Sequence, residues 1–166
     1  MSIGGNIDKQ YGKLTLLARL VAALFSLGTS FDAASACDKG TKTIFFCVAA
    51  KGNVIQVCDS GKTIDYSFGK TNALEVVVRA PRSDASTFQW QGAGQFMPYA
   101  IRIPNGNTTY SVYWVSDRYG YDKPHKVNAG VHVVTNGKTE STVNCTNAQS
   151  IVQNMEGLDL KRADSY

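Results

Sequence analysis

Four cysteines (Cys37, Cys47, Cys58 and Cys145) and two histidines (His125 and His132) are the side chains best equipped for covalent, metal or acid–base chemistry. None of the cysteines lies in a Cys-x-x-Cys redox motif, and an even number in a short chain reads as staples rather than nucleophiles. His132 is flanked by Val131 and Val133, so strand alternation sends it to a polar face with no partner that would make it a base. His125 shares a loop with Asp117 and Asp122, a ligand set without the fixed spacing of a metal site. The chain has no Gly-x-Ser-x-Gly, no phosphate-binding glycine loop and no His-Glu-x-x-His. Glu75, Glu140 and Glu156 are far apart, so no carboxylate pair is nominated for glycoside hydrolysis. These observations predict a protein that is not an enzyme, with no catalytic residue, no cofactor and no metal.

Binding chemistry is better represented. The segment Asp117-Arg-Tyr-Gly-Tyr-Asp-Lys-Pro-His-Lys126 joins two strand-like runs and is far longer than a hairpin needs. Long loops on β-scaffolds commonly bind, and Tyr and Arg dominate interface hot spots because they bring large contact area at low entropic cost. Arg118, Tyr119, Tyr121, Lys123 and His125 are therefore the expected contacts to a protein partner. The alternative for Tyr119 and Tyr121 is a lid folded over one end of the scaffold. A second candidate, for a small ligand or glycan, is Trp90, Phe96 and Tyr99 around Gly92-Ala93-Gly94, where the backbone can approach a ligand closely. Phe88 and Trp90 also share a strand face, which favours the core for Trp90.

The elements that must position these residues begin after an export signal. Lys9, Lys13 and Arg19 form a positive n-region, Leu20–Leu27 an apolar stretch, and Ala34-Ser35-Ala36 a small-x-small cleavage pattern. Residues 1–36 are read as a signal peptide and 37–166 as one β-rich domain, periplasmic or secreted. The apolar stretch is about half the roughly 20 residues that span a bilayer, so no transmembrane span is expected. Cleavage would leave Cys37 first, as in a lipoprotein. Ala34 stands where a lipobox carries Leu, and lipidation would leave three cysteines, so the soluble exported form is favoured.

The full chain of 166 residues carries 17 Lys+Arg and 13 Asp+Glu, a net charge of +4. Without Asp8, Lys9, Lys13, Arg19 and Asp32 the remainder is +3, too little to argue for nucleic acid. Charged residues at 18% exclude a disordered polyelectrolyte.

Short β-branched and aromatic runs recur at close spacing: 43–48, 54–58, 63–68, 74–78, 88–90, 99–103, 109–115, 131–135 and 138–145. Turn residues separate them, notably Pro104-Asn-Gly-Asn107 and Asn136-Gly137. The pattern predicts a mainly β fold, an antiparallel barrel or sandwich. Asn147 as an N-cap with Ile151, Val152, Met155 and Leu158 at helical spacing predicts one short C-terminal helix. Gly52-Asn53 as a two-residue turn sets Cys47 opposite Cys58, giving Cys47–Cys58 as one disulfide. Cys37–Cys145 follows by elimination among three possible pairings.

Cys47 with Gly52, the strand Val54-Ile-Gln-Val-Cys58, Ile64-Asp-Tyr-Ser-Phe-Gly69, Asn105-Gly106 and the closing hairpin from Gly137-Lys138 to Cys145 resemble a largely uncharacterised family of small exported, disulfide-containing β proteins of Gram-negative bacteria. The resemblance runs from Cys47 to Cys145 and implies compartment and fold. More distantly, a small exported β-domain with a late Cys-bearing strand resembles the periplasmic lysozyme inhibitors. Their Ser- and Lys-bearing inhibitory loop has no counterpart here, and a positive domain complements basic lysozymes poorly. The expected function is a periplasmic binding or inhibitor protein, of immunity type, whose protein partner is a muralytic enzyme or secreted effector.

Overall fold

The computed structural model describes residues 37–119 and 126–165. The signal-like segment and Tyr121, Lys123 and His125 lie outside the described residues. Eleven strands occur among them: β1 Lys42–Val48, β2 Val54–Asp59, β3 Thr63–Lys70, β4 Ala73–Pro81, β5 Ser86–Gln89, β6 Phe96–Asn105, β7 Thr108–Asp117, β8 Val127–Thr135, β9 Lys138–Asn144, β10 Val152–Gln153 and β11 Lys161–Arg162. They form two sheets, ordered β10-β1-β2-β3-β4 and β11-β5-β6-β7-β8-β9. Apart from one isolated bridge between Ala49 and Cys145, no strand pairing among the described residues joins the two sheets edge to edge, so the fold is a sandwich rather than a closed barrel.

Alternation decides the faces. On β6, Tyr99, Ile101 and Ile103 point between the sheets, while Ala100 and Arg102 point away. On β2 and β3, Ile55, Val57, Ile64 and Tyr66 meet them from the other sheet, all at or below 2% exposure. Burying each such aliphatic side chain stabilises the fold by about 1.5–3 kcal/mol. Tyr66 stacks on Tyr110 of β7 with ring centroids 4.6 Å apart, joining the two layers. Burial pushes the Tyr66 phenol well above its ordinary range, with Tyr110 adding a smaller upward push.

The turn chemistry of the closing hairpin is as the sequence predicts. Asn136 and Gly137 both take positive φ, 51° and 80°, and join Thr135 to its partner Lys138. Gly130 is required for a different reason. A Cβ there would run into the Val143 carbonyl oxygen of β9, so this pair of strands can close only around glycine.

The disulfide pairing corrects the expectation. Cys37 bonds Cys58, and Cys47 bonds Cys145. The β1–β2 connection is a five-residue loop with a 3-10 turn at Ala50–Gly52, in which Lys51 and Gly52 both take positive φ. Val48 therefore faces Val54, and Cys47 faces Ile55 instead of Cys58. Cys47 lies fully inside the sandwich and reaches the end of β9, where Ala49 and Cys145 also form a β-bridge. One bridge joins the two sheets; the other ties residue 37 to β2.

The C-terminal helix is likewise replaced. Asn147 does cap, accepting from the Gln149 backbone N–H at 3.0 Å, but only a 3-10 turn at Ala148–Ser150 follows. The chain then extends, because backbone edges take precedence over local helical spacing. β10 pairs with the open edge of β1, and β11 pairs in parallel with the edge of β5. Between them Met155 and Leu158 are buried, and Gln89 holds the crossing through Leu158 O (2.9 Å) and Gly157 N (3.0 Å). The tail thus covers one edge of each sheet and closes the side of the sandwich.

Candidate functional site

Two segments that are well separated in sequence meet at the end of the six-stranded sheet where β6 begins and β7 ends. Phe96 pairs with Asp117, and the Arg118 backbone N–H donates to Gln95 O at 3.0 Å. The Gln95 amide donates to the Asp117 carboxylate, with the nearer oxygen at 3.3 Å, and the same carboxylate accepts from the Tyr119 backbone N–H at 3.0 Å. On the other segment, the Trp90 indole N–H donates to Ala93 O at 2.7 Å, folding the Gln91–Gly94 turn back against the ring. Gly92 and Gly94, at φ 86° and 91°, make that reversal possible.

Arg118 links the two segments. Its guanidinium carbon sits 4.4 Å from the Trp90 ring centroid and 6.0 Å from that of Tyr119. Each such cation–π contact is worth about 0.5–1 kcal/mol at an exposed site. Arg118 makes no ion pair among the described residues, and its guanidinium also donates to Gly94 O at 3.5 Å. Phe96 and Tyr119 are 52% and 53% exposed, and they are two of the four exposed large hydrophobic residues described. The result is a cationic, aromatic surface held by backbone hydrogen bonds at the end of a rigid sheet. It can make broad contacts with a protein, and among the described residues it brings no nucleophile and base together.

The structure therefore unites Arg118 and Tyr119 of the expected partner-binding loop with Trp90 and Phe96 of the expected ligand-binding group. Tyr99 does not join them. It is 5% exposed, turned between the sheets, with its ring 6.1 Å from Trp114. Strand alternation from Phe96 makes this unavoidable: an odd number of steps separates Tyr99 from Phe96, which puts them on opposite faces. Trp90 is half-buried and borders the core, so it serves both the packing and the surface.

His132 faces the outer side of the six-stranded sheet, as its valine neighbours predict. It stacks on Tyr113 at 4.4 Å, with its Nδ1 2.8 Å from Thr142 Oγ1, while the Tyr113 hydroxyl donates to Asn144 Oδ1 at 2.7 Å. Burial lowers the His132 pKa below the ordinary histidine value. The unfolded chain therefore binds a proton more readily than the native one, and stability falls as pH drops below about 6.5, levelling off under the native pKa. Urea unfolding at pH 7.5 and pH 5 should show this loss, and His132→Gln should flatten it; an unchanged slope in the variant would assign the loss elsewhere.

Sequence reasoning did not find the neighbours of His132. Arg102, Ser111 and His132 come from three strands and stand side by side because of the register alone. Nothing in the order of residues marks them.

No protein-family model, no curated protein and no solved structure matches this chain. No helix among the described residues is long and apolar enough to cross a membrane. Two disulfides suit an oxidising environment, extracellular or periplasmic.

Proposed function

We propose that this chain is an exported, non-enzymatic binding protein of the cell envelope, an immunity-type inhibitor of an envelope-acting hydrolase. It is retained in the periplasm or secreted after loss of residues 1–36. The observation that carries this reading is the Arg118 guanidinium set between Trp90 and Tyr119, with Phe96 exposed beside it. Such a cluster has the composition of an interface hot spot, and the sheet fixes it before any partner arrives, which lowers the entropy lost on binding. The sheet-to-sheet disulfide adds to that rigidity. The small-ligand reading built on Trp90, Phe96 and Tyr99 is the weaker one, because Tyr99 lies inside the core and Arg118 covers Trp90.

The test is affinity capture with the oxidised protein against envelope and culture-supernatant proteins, with Arg118→Ala and Trp90→Ala as controls. A hydrolase that is captured and inhibited by the wild type, and bound roughly 30-fold more weakly by each variant, is the expected result for hot-spot residues. A captured hydrolase bound equally well by Arg118→Ala would remove the interface from this end of the sheet. Capture of no hydrolase at low salt would overturn the inhibitor reading itself.

A further inference from the structure

The outer face of the six-stranded sheet carries a groove of about 540 Å³, toward the opposite end from the Arg118 cluster. That volume lies in the range of small-molecule sites, roughly 300–1,000 Å³. At its base Ser111 is 4% exposed, and its Oγ is buried without a hydrogen-bond partner. An unsatisfied buried hydroxyl costs about 1–3 kcal/mol, so folding alone does not account for serine at this position. Ser111 stands between Arg102 of β6 and His132 of β8 in one cross-strand row. Arg102 makes no ion pair among the described residues, and its one hydrogen bond there is to Ser165 Oγ, at 2.8 Å. His132 uses Nδ1 on Thr142 and keeps its second ring nitrogen for another partner.

We infer that this groove is a binding site for a small acidic sugar, whose carboxylate is held by Arg102 and Ser111 with His132 alongside. The guanidinium fork suits a carboxylate, and the serine hydroxyl supplies a second donor to the same centre. Ser111 Oγ is buried, so binding requires a local side-chain movement, and the Arg102 guanidinium exchanges Ser165 Oγ for the carboxylate in the same step. Beyond this centre the lining changes character. Thr109 and Thr139 offer hydroxyls that both donate and accept, and Pro104 and Val134 offer apolar surface to the C–H face of a ring. Asp84, also on the wall, accepts from sugar hydroxyls and repels a second negative charge. A polyhydroxylated monoanion meets all of these conditions; an inorganic dianion meets only the first.

The probes are D-glucuronate, D-glucose and inorganic phosphate, titrated into the oxidised protein by calorimetry with amide chemical shifts recorded in parallel. Glucuronate should bind in preference to both others and shift residues of β6, β7 and β8. Ser111→Ala and Arg102→Gln should each weaken it about tenfold or more, as expected for hydrogen bonds to a charged group. Ser111→Ala should also fold at least as stably as the wild type, since it removes an unsatisfied polar atom. Equal binding of glucose would overturn the carboxylate centre, and tighter binding of phosphate would overturn the sugar assignment. No binding of any probe, or glucuronate binding unaffected by Ser111→Ala, would overturn the site. These outcomes are independent of the partner at the Arg118 end, because neither variant touches that cluster.

Discussion

Replacing the inter-sheet bridge, as Cys47→Ala/Cys145→Ala, should cost about 2–5 kcal/mol of unfolding free energy. The bridge closes a loop of 98 residues, against 21 for Cys37–Cys58. Constraint of the unfolded chain grows with the logarithm of loop length, so the longer bridge should contribute about 1.4 kcal/mol more than the shorter one. The native state adds to this difference. Cys47 is fully buried on the inner face of β1, and Cys145 directly follows β9, whose pairing with β8 Gly130 allows to close. Loss of the bond removes the covalent tie between the two layers and leaves side-chain packing, the C-terminal crossing and the backbone contacts at Ala49–Cys145 and Val48–Thr146 to hold them. Urea unfolding of both double variants measures the order directly. A smaller loss from Cys47→Ala/Cys145→Ala than from Cys37→Ala/Cys58→Ala would contradict the pairing, and non-reducing peptide mapping would decide it independently.

The second large effect is expected at a residue that helical spacing assigns to a short C-terminal helix. Met155→Ala should lose about 2–5 kcal/mol, the range for truncating a buried methionine. Met155 is fully buried between the edges that β10 and β11 cover. Its neighbour Glu156 is exposed, and Glu156→Ala should stay within about 0.5 kcal/mol of the wild type. A Met155→Ala variant as stable as Glu156→Ala would mean that the crossing segment is not part of the cooperative core. The expected contrast also separates a packed extended segment from an amphipathic helix. A helix would have to run through Gly157, which holds a positive φ of 70° at the crossing.

The same segment shows where local sequence information stops. Ile151, Val152, Met155 and Leu158 have helical spacing, yet the chain extends, because β1 and β5 present unpaired backbone groups that no local pattern reveals. The cysteine pairing is a similar case. Gly52-Asn53 reads as a two-residue turn, but the loop takes five residues and shifts the register by three, moving Cys58 away from Cys47. Register depends on the whole turn and on which side chains the opposing sheet will bury, and neither is encoded at the turn itself.

For the candidate site the division follows the same lines. Arg118, Tyr119 and Phe96 were legible individually as binding candidates near glycines, whereas for Trp90 the sequence favoured the core over the surface. Their meeting across β6 and β7, and the loss of Tyr99 to the core, come from strand pairing and alternation. Arg102, Ser111 and His132 were not legible at all, since no motif spans three strands.

By itself, the sequence determined the β class, the position of nearly every strand, the Asn136-Gly137 turn, the outward His132 and the use of cysteines as staples. Each depends on residue type and on a period of two, which act within a few residues. Only the tertiary structure decided the sandwich over the barrel, the partners of the four cysteines, the extended tail and the residues that share a surface. Those are outcomes of burial and edge pairing between segments as far apart in the chain as Phe45 and Gln153, where the free energy resides in the contact and not in either strand alone.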